Sequence, residues 1–270
     1  MAIPADLRQR TRAIWASGDW DTHSRLIEPV GAVVLERIDL HPGLDLLDVG
    51  TGTGGNIAIP AALRGVKVVG LDLAPELFEH ARRRAAEAGV DVEWVEGDAQ
   101  ELPFADESFD RVVSTFGAMF APDHERAAAE LIRVCRAGGR VAMTTWVNDG
   151  YAAGLFKLNG TFLPPPPAGV QPPPLWGVKG HVEEVFAAAG VTPDIAHETF
   201  DVQFASDQAA VDEYTTTFGP FVTARTVLEP EGRWPEFVQA LTDLIRRFNV
   251  ATDGTVRIPA EYFVITVDRQ

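Results

Sequence analysis

Residues 46–56 read Leu46-Leu47-Asp48-Val49-Gly50-Thr51-Gly52-Thr53-Gly54-Gly55-Asn56, an apolar run that breaks into four glycines within six residues. A strand that must turn sharply into a helix needs backbone that tolerates positive φ and lets a ligand come close, and glycine supplies both. The helix start beyond it offers unpaired N–H groups and a partial positive charge, which suit a carboxylate or a phosphate. Gly50, Gly52 and Gly55 also satisfy the G-x-G-x-x-G pattern of dinucleotide-binding proteins, so this stretch alone implies a nucleotide-like ligand without choosing one.

Working outward, apolar runs at 44–49, 66–71, 91–96, 110–115 and 140–146 read as strands. Helical stretches are expected at 56–64, 75–88 and 123–135, the last ending at Ala137-Gly138-Gly139. Strands alternating with helices imply βαβ units and a parallel sheet. Upstream, 5–17 and 23–39 read as helices, with Leu26, Ile27, Val30, Val33, Val34 and Ile38 at helical spacing. Downstream, 147–178 carries Pro164 to Pro167 and Pro172 to Pro174 and reads as a structured loop or substrate flap. A helix at 179–189, a strand at 195–204, helices at 207–227 and 233–250 and a last strand at 261–267 complete the pattern. Neither a repeat nor a flexible linker is visible, so one domain spanning 1–270 is expected, with a ligand-binding core at 40–146.

Three further features narrow the ligand. Asp48 stands two residues before the first glycine, where a carboxylate is awkward beside a pyrophosphate but suits an ammonium or sulfonium cation. Asp72 ends the second strand, placed to accept ribose hydroxyls, a role common to several nucleoside ligands. Glu96-Gly97-Asp98-Ala99 follows the third strand, where a carboxylate and the next backbone N–H can read an adenine edge. Either aspartate could instead serve as a loop or helix cap.

The four stretches LLDVGTGTGGN, VVGLDLAPELFEHARRRA, VEWVEGDAQELPFADESFDRVVSTFGAMFAPD and LIRVCRAGGRVAMTTW, in this order, resemble the class I, Rossmann-like, S-adenosylmethionine-dependent methyltransferases. The likeness is greatest to the small-molecule branch that includes ubiquinone and menaquinone C-methyltransferases and natural-product methyltransferases. It is close over 44–146 and extends beyond only as an order of elements. It implies a doubly wound α/β fold of seven strands in the order 3-2-1-4-5-7-6, the last antiparallel, with a helical lid from 1–39, 147–178 and 206–255. It further implies that Gly50, Thr51 and Gly52 pack on the methionine part of the cofactor, with Asp48 near its ammonium and Asn56 at its carboxylate. Asp72 would hold the ribose with Leu73 beside the adenine, Asp98 and Ala99 would read the adenine, and Thr115 and Phe116 would line the space between sulfonium and acceptor.

Methyl transfer from a sulfonium is an in-line displacement, so the protein's task is to bring acceptor and methyl together and exclude water. A base is needed only where the acceptor must lose a proton. His23 is the first candidate, set against an exposed or helix-capping reading; His124 reads as a helix start and His181 as helix surface. Trp20, Phe120, Trp146, Tyr214 and Phe218 are the candidates for an aromatic acceptor pocket, and Cys135 reads as a buried apolar residue near a helix end. No metal is expected. Two other readings stay open: a nicotinamide-dependent oxidoreductase, although no Tyr-x-x-x-Lys pair is present, and a nucleoside-binding relative that methylates nothing.

Composition bounds the partners. With 46% hydrophobic and 23% charged residues, the 270-residue chain can bury a sizeable core. A net charge of -16 disfavours nucleic acid, and Arg82-Arg83-Arg84 reads as a solvated helix end. No apolar run is long enough for a membrane span and MAIPADLRQRTRAIW has no signal-like apolar region. One cysteine suits a reducing cytoplasm. A small-molecule acceptor is the expected partner, with a homodimer left open.

Overall fold

Leu46, Leu47, Val49, Val112, Val113, Val141 and Ala142 are all buried, as expected of strands covered on both faces in a parallel sheet. The computed structural model describes residues 5–167 and 169–270. Its strands are β1 (Asp45–Val49), β2 (Lys67–Asp72), β3 (Glu93–Glu96), β4 (Phe109–Thr115), β5 (Cys135–Trp146), β6 (Asp194–Phe204) and β7 (Val256–Asp268). They form one sheet in the order β3-β2-β1-β4-β5-β7-β6. The first five pair in parallel, and β7 runs antiparallel between β5 and β6. This is the fold class and order that the motifs imply.

Around the sheet lie α1 (Ala5–Ala16), α2 (Trp20–His23), α3 (Glu28–Arg37), α4 (Ala58–Ala62), α5 (Phe78–Ala88) and α6 (His124–Val134). They are followed by α7 (Tyr151–Phe162), α8 (Lys179–Ala188), α9 (Asp207–Thr217), α10 (Gly219–Leu228) and α11 (Trp234–Phe248). Among the described residues, no helix is long and apolar enough to cross a membrane.

Several expected boundaries are corrected. The helix expected at 23–39 is α3 alone, preceded by α2 and a 3-10 turn. The helix expected from residue 56 shrinks to α4, because the glycine loop continues to Ile57. Ala137-Gly138-Gly139 does not end a helix: α6 stops at Val134, and β5 runs through these residues with an irregular register against β4. Gly138, at φ +76°, takes up the bend. The 147–178 segment is not all loop, since α7 occupies 12 of its residues. Gly154 and Gly160 weaken the helical signal there, yet Tyr151, Leu155 and Phe162 are buried on one side.

The helix expected at 207–227 is two helices. Pro220 has no N–H to donate and its ring would clash with the carbonyl one turn back, so a helix cannot run through it, but it is well suited to the first turn of a new one. The break at Phe218 admits the N-terminal segment. A Cβ on Gly219 would sit 2.4 Å from the Ile14 carbonyl oxygen, and one on Gly18 would sit 2.2 Å from that of Thr217. Asp19 N donates to Thr217 O at 2.9 Å, and Ser17 Oγ donates to Gly219 O at 3.1 Å. Segments some 200 residues apart are thereby joined at backbone level.

Burial divides into two clusters. The larger follows the sheet; the smaller is formed by α7, α9, α10, α11 and the first half of β7. In α11, Phe237, Leu241 and Ile245 repeat every four residues and are fully buried on one face. The Phe237 ring packs against Phe162, Phe221 and Trp234. Phe237→Ala should cost about 3–5 kcal/mol, read as a lower urea midpoint at unchanged slope. An unchanged midpoint would show that the smaller cluster does not share the cooperative unfolding.

Candidate active site

The glycine loop after β1 is shaped by groups from the neighbouring strands. Gly50, Gly52 and Gly54 have φ of +72°, +55° and +75°. Gly50 N and Thr51 N both donate to Leu71 O, at 2.8 and 3.0 Å. A Cβ on Gly50 would lie 2.6 Å from Gly117 Cα, so this glycine is required by the loop after β4. At Gly52 a Cβ would meet nothing within 4 Å, so its face opens onto the cavity.

Asp72, at the end of β2, accepts from Gly52 N at 2.8 Å with one oxygen and from Ala74 N at 2.9 Å with the other. Each oxygen keeps a lone pair for a ligand. Asp48 lies differently from its expected place. It is buried but does not line the cavity; its carboxylate accepts from Thr51 Oγ1 at 2.7 Å and from the Ala58 backbone N–H, bracing the loop from behind. Burial pushes the Asp48 carboxyl up to about 7, with the Asp72 charge adding to it. Burial also raises Asp72. Among the described residues, no Arg, Lys or His pairs with either carboxylate.

The other expected cofactor residues, Thr51, Asn56, Leu73, Asp98, Ala99, Thr115 and Phe116, line the same cavity as Gly50, Gly52 and Asp72. Asp98 is oriented by Gln100, whose backbone and side-chain N–H groups donate to one of its oxygens at 2.9 and 3.0 Å. Asn56 Oδ1 and Thr115 Oγ1 are buried without a partner among the described residues. Phe116 has φ +53°, unusual for a residue with a side chain. Its N–H donates to Thr144 Oγ1 at 3.1 Å, and its ring lies flat on Trp146, centroids 3.7 Å apart. Backbone strain of about 1–3 kcal/mol is thus held at the end of β4 by the packing around it.

Trp20, Phe120, Trp146, Tyr214 and Phe218 all line the cavity, as does His23. The exposed or capping reading of His23 is corrected: its ring is buried, stacked on Phe218 at 4.9 Å and edge-on to Trp20 and Tyr214. Burial lowers its pKa to about 4, against a smaller opposing effect of Asp19. His124 does start α6, and its Nδ1 meets His181 Nε2 at 2.8 Å, so His181 is not bare helix surface. Cys135 is fully buried at the start of β5.

Several cavity residues were not expected. Arg8, Thr11 and Trp15 arrive on α1, and Tyr151, Leu155 and Phe156 on α7. Helix α1 is tied across the cavity edge by Arg12, whose guanidinium donates to Glu76 and Glu96 at 2.8 Å each. Arg84 is no solvated helix end. It donates to Thr53 Oγ1 at 3.0 Å and to Glu28 at 2.7 Å, beneath the glycine loop, and Arg83 reaches Asp21 at 2.6 Å. Their signal in the sequence was an amphipathic helix with three arginines, which does not tell a surface pair from a buried clamp.

Residues 47–143 match a family model described as a methyltransferase domain. An uncharacterized protein of Mycobacterium tuberculosis is 36% identical over 215 residues, covering 79% of this chain and 78% of its own. The chain belongs to the class I S-adenosylmethionine-dependent methyltransferases. A demethylmenaquinone methyltransferase of Thermus thermophilus is 43% identical over 100 residues, 36% of this chain and 45% of that one. The crystal structure of a putative methyltransferase from Bacillus halodurans superposes with a TM-score of 0.58 at 22% identity, covering 89% of this chain and 99% of that one. A phosphoethanolamine N-methyltransferase of Haemonchus contortus, in complex with S-adenosyl-L-methionine, gives 0.56 at 20% identity, over 90% of this chain and 53% of that one.

The enzyme's cofactor is S-adenosylmethionine, and the cavity suits it. Open space faces Gly52, the Asn56 oxygen is unpartnered, and buried carboxylates without a basic partner favour a cationic ligand.

With the cavity empty, Asp48 takes up a proton as pH falls through about 7. A cationic ligand favours the ionised carboxylate, so binding should expel that proton and tighten as pH rises between about 6 and 8. Calorimetry of S-adenosylmethionine in buffers of different ionisation enthalpy should show net proton release near neutrality. Affinity flat with pH would show that the carboxylates are already ionised in the free enzyme. Asp72→Ala, which removes acceptors from Gly52 N and from the ligand, should weaken binding of S-adenosylhomocysteine by about 1–3 kcal/mol; unchanged affinity in a folded variant would remove Asp72 from the site.

Proposed function

We propose that this methyltransferase acts on a small, uncharged aromatic acceptor, of the quinone-like or secondary-metabolite kind. One observation carries the reading. The cavity's charged lining residues, Arg8, Asp72 and Asp98, belong to the expected nucleoside side, whereas Trp20, His23, Tyr151, Leu155, Phe156, Tyr214 and Phe218 bring rings, an aliphatic chain and a neutral imidazole. A charged acceptor among them would lose its hydration without gaining a counter-ion, at a cost of several kcal/mol. Flat aromatic molecules gain from such walls through apolar burial and ring stacking. The Thermus thermophilus relative, which by its name acts on a demethylmenaquinone, is consistent with a quinone-like acceptor.

In this reading the bound cofactor supplies an electrophilic methyl group, and the chain's residues arrange the encounter. Asp72 holds the ribose hydroxyls, with Leu73 beside the adenine. Asp98 and the Ala99 N–H read the adenine edge, and the Asn56 amide N–H groups donate to the carboxylate while its oxygen is free to accept from the ammonium. Asp48 acts through Thr51 and through its charge, because it stands behind the loop. Thr115 and the Phe116–Trp146 stack border the space where methyl and acceptor meet. Helices α1, α7 and α9 exclude water from it, so alignment supplies several kcal/mol of the barrier.

The test is transfer of isotopically labelled methyl from S-adenosylmethionine to a panel of neutral and charged aromatic acceptors, after titration with S-adenosylhomocysteine, NADH and NADPH. Neutral aromatics should be methylated and only S-adenosylhomocysteine should bind. Methylation confined to charged acceptors would overturn the reading. Phe156→Lys, which puts a cation into the apolar wall, should lower kcat/KM for a neutral acceptor by about tenfold or more, with affinity for S-adenosylhomocysteine within about threefold of wild type.

A further inference from the structure

His23 is backed by a hydrogen-bond chain from a helix 194 residues away. Its Nδ1 lies 3.0 Å from Thr217 Oγ1, and that oxygen lies 2.6 Å from Glu213 O and 3.1 Å from Glu213 Oε1. A threonine hydroxyl has one proton to give, and carbonyl and carboxylate oxygens only accept. The Thr217 proton is therefore spent on Glu213, and the contact with His23 is one in which Thr217 accepts. Nδ1 then carries the imidazole hydrogen, and Nε2 keeps its lone pair. Among the described residues Nε2 has no hydrogen-bond partner, and the ring lines the cavity.

A second observation lies in the same wall. Tyr151 lines the cavity, and its buried hydroxyl interacts with that of Tyr214. Its ring is 6.1 Å from that of Tyr214, which in turn is 5.6 Å from His23. An unused imidazole lone pair in an otherwise apolar, aromatic cavity calls for an occupant that brings an O–H to it.

We propose that the acceptor is a hydroxylated aromatic methylated on oxygen, with His23 Nε2 as the catalytic base and Thr217 and Glu213 as its positioning residues. The proposal rests on the neutral-aromatic reading above and adds the atom and the base. As the O–CH3 bond forms and the S–CH3 bond breaks, the acceptor's hydroxyl proton passes to Nε2. The positive charge that leaves sulfur reappears on the imidazolium, so net charge is conserved, and the proton goes to solvent as the products leave. The charged and titratable groups around His23 suit this transfer: Glu213 at 3.9 Å and Asp19 both favour the imidazolium once formed, and Tyr214 stays neutral. Before transfer, burial keeps the imidazole neutral down to about pH 4. The base is therefore available throughout the neutral range.

Two phenols separate this role from a structural one: naphthol, neutral at assay pH, and pentafluorophenol, already ionised. Wild type should give the O-methyl product from naphthol, identified by mass spectrometry, with kcat flat across neutral pH. His23→Gln should lose about 100-fold or more in kcat on naphthol, acquire a rate that climbs with pH, and match the wild-type rate on pentafluorophenol, a rate that is low for both because the cavity disfavours the phenolate charge. Thr217→Val and Glu213→Gln should each lose about tenfold on naphthol with little change on pentafluorophenol and unaltered affinity for S-adenosylhomocysteine, and Thr217→Ser should restore the rate. Equal losses on both phenols would overturn the proposal. So would methyl found on carbon or nitrogen of a neutral aromatic, or no transfer to either phenol by protein that binds S-adenosylhomocysteine. None of these outcomes touches the broader reading, which fails only if charged acceptors alone are methylated.

Discussion

The bond from Gly52 N to the Asp72 carboxylate is the contact on which the rest of the site depends. It ties the loop after β1 to the end of β2, across a parallel pair whose register sets Val49 beside Leu71. A loop with three positive-φ glycines has no intrinsic reason to hold one shape. It is held by a buried carboxylate that needs N–H donors, by Leu71 O taking two more, and by Gly117 filling the space where Gly50 has no side chain. The electrostatic cost of this arrangement is also its use. Burial raises both aspartates, with the Asp72 charge adding to Asp48 and the Glu76 charge to Asp72, and a cationic ligand nearby favours the ionised form of both.

The first half of the fold was legible because its signals are local. Apolar runs ending in Asp48, Asp72 and the Glu96-Gly97-Asp98 turn mark strand ends by residue type alone, and the sheet order follows from the resemblance those motifs carry. Most of the cofactor residues named from the sequence meet in one cavity. Asp48 is the exception in placement, since nothing in the sequence tells which side of the loop its carboxylate takes.

The second half was less legible for definite reasons. Helix α7 is diluted by Gly154 and Gly160, and the bend in β5 uses a glycine pair that more often closes a helix. The burial of His23 depends on Thr217, Phe218 and Tyr214, partners nearly 200 residues along the chain. No periodicity reports such a meeting. The smaller apolar cluster matters here, because Tyr214 and Phe218 belong both to it and to the cavity wall. The same side chains therefore serve core packing and the shape of the cavity wall.

The junction at Gly18 and Gly219 bears on traffic through the enzyme. The N-terminal cover brings Arg8, Thr11 and Trp15 to the cavity, and α9 brings Tyr214. Because backbone meets backbone at the junction, with no room for a methyl group at either glycine, these two segments, far apart in sequence, would move as one cover. Raising it would uncover both ends of the cavity together. Spent cofactor and methylated product would then share a doorway, and how often that gate opens, rather than the speed of the displacement beneath it, becomes the natural place for turnover to be governed.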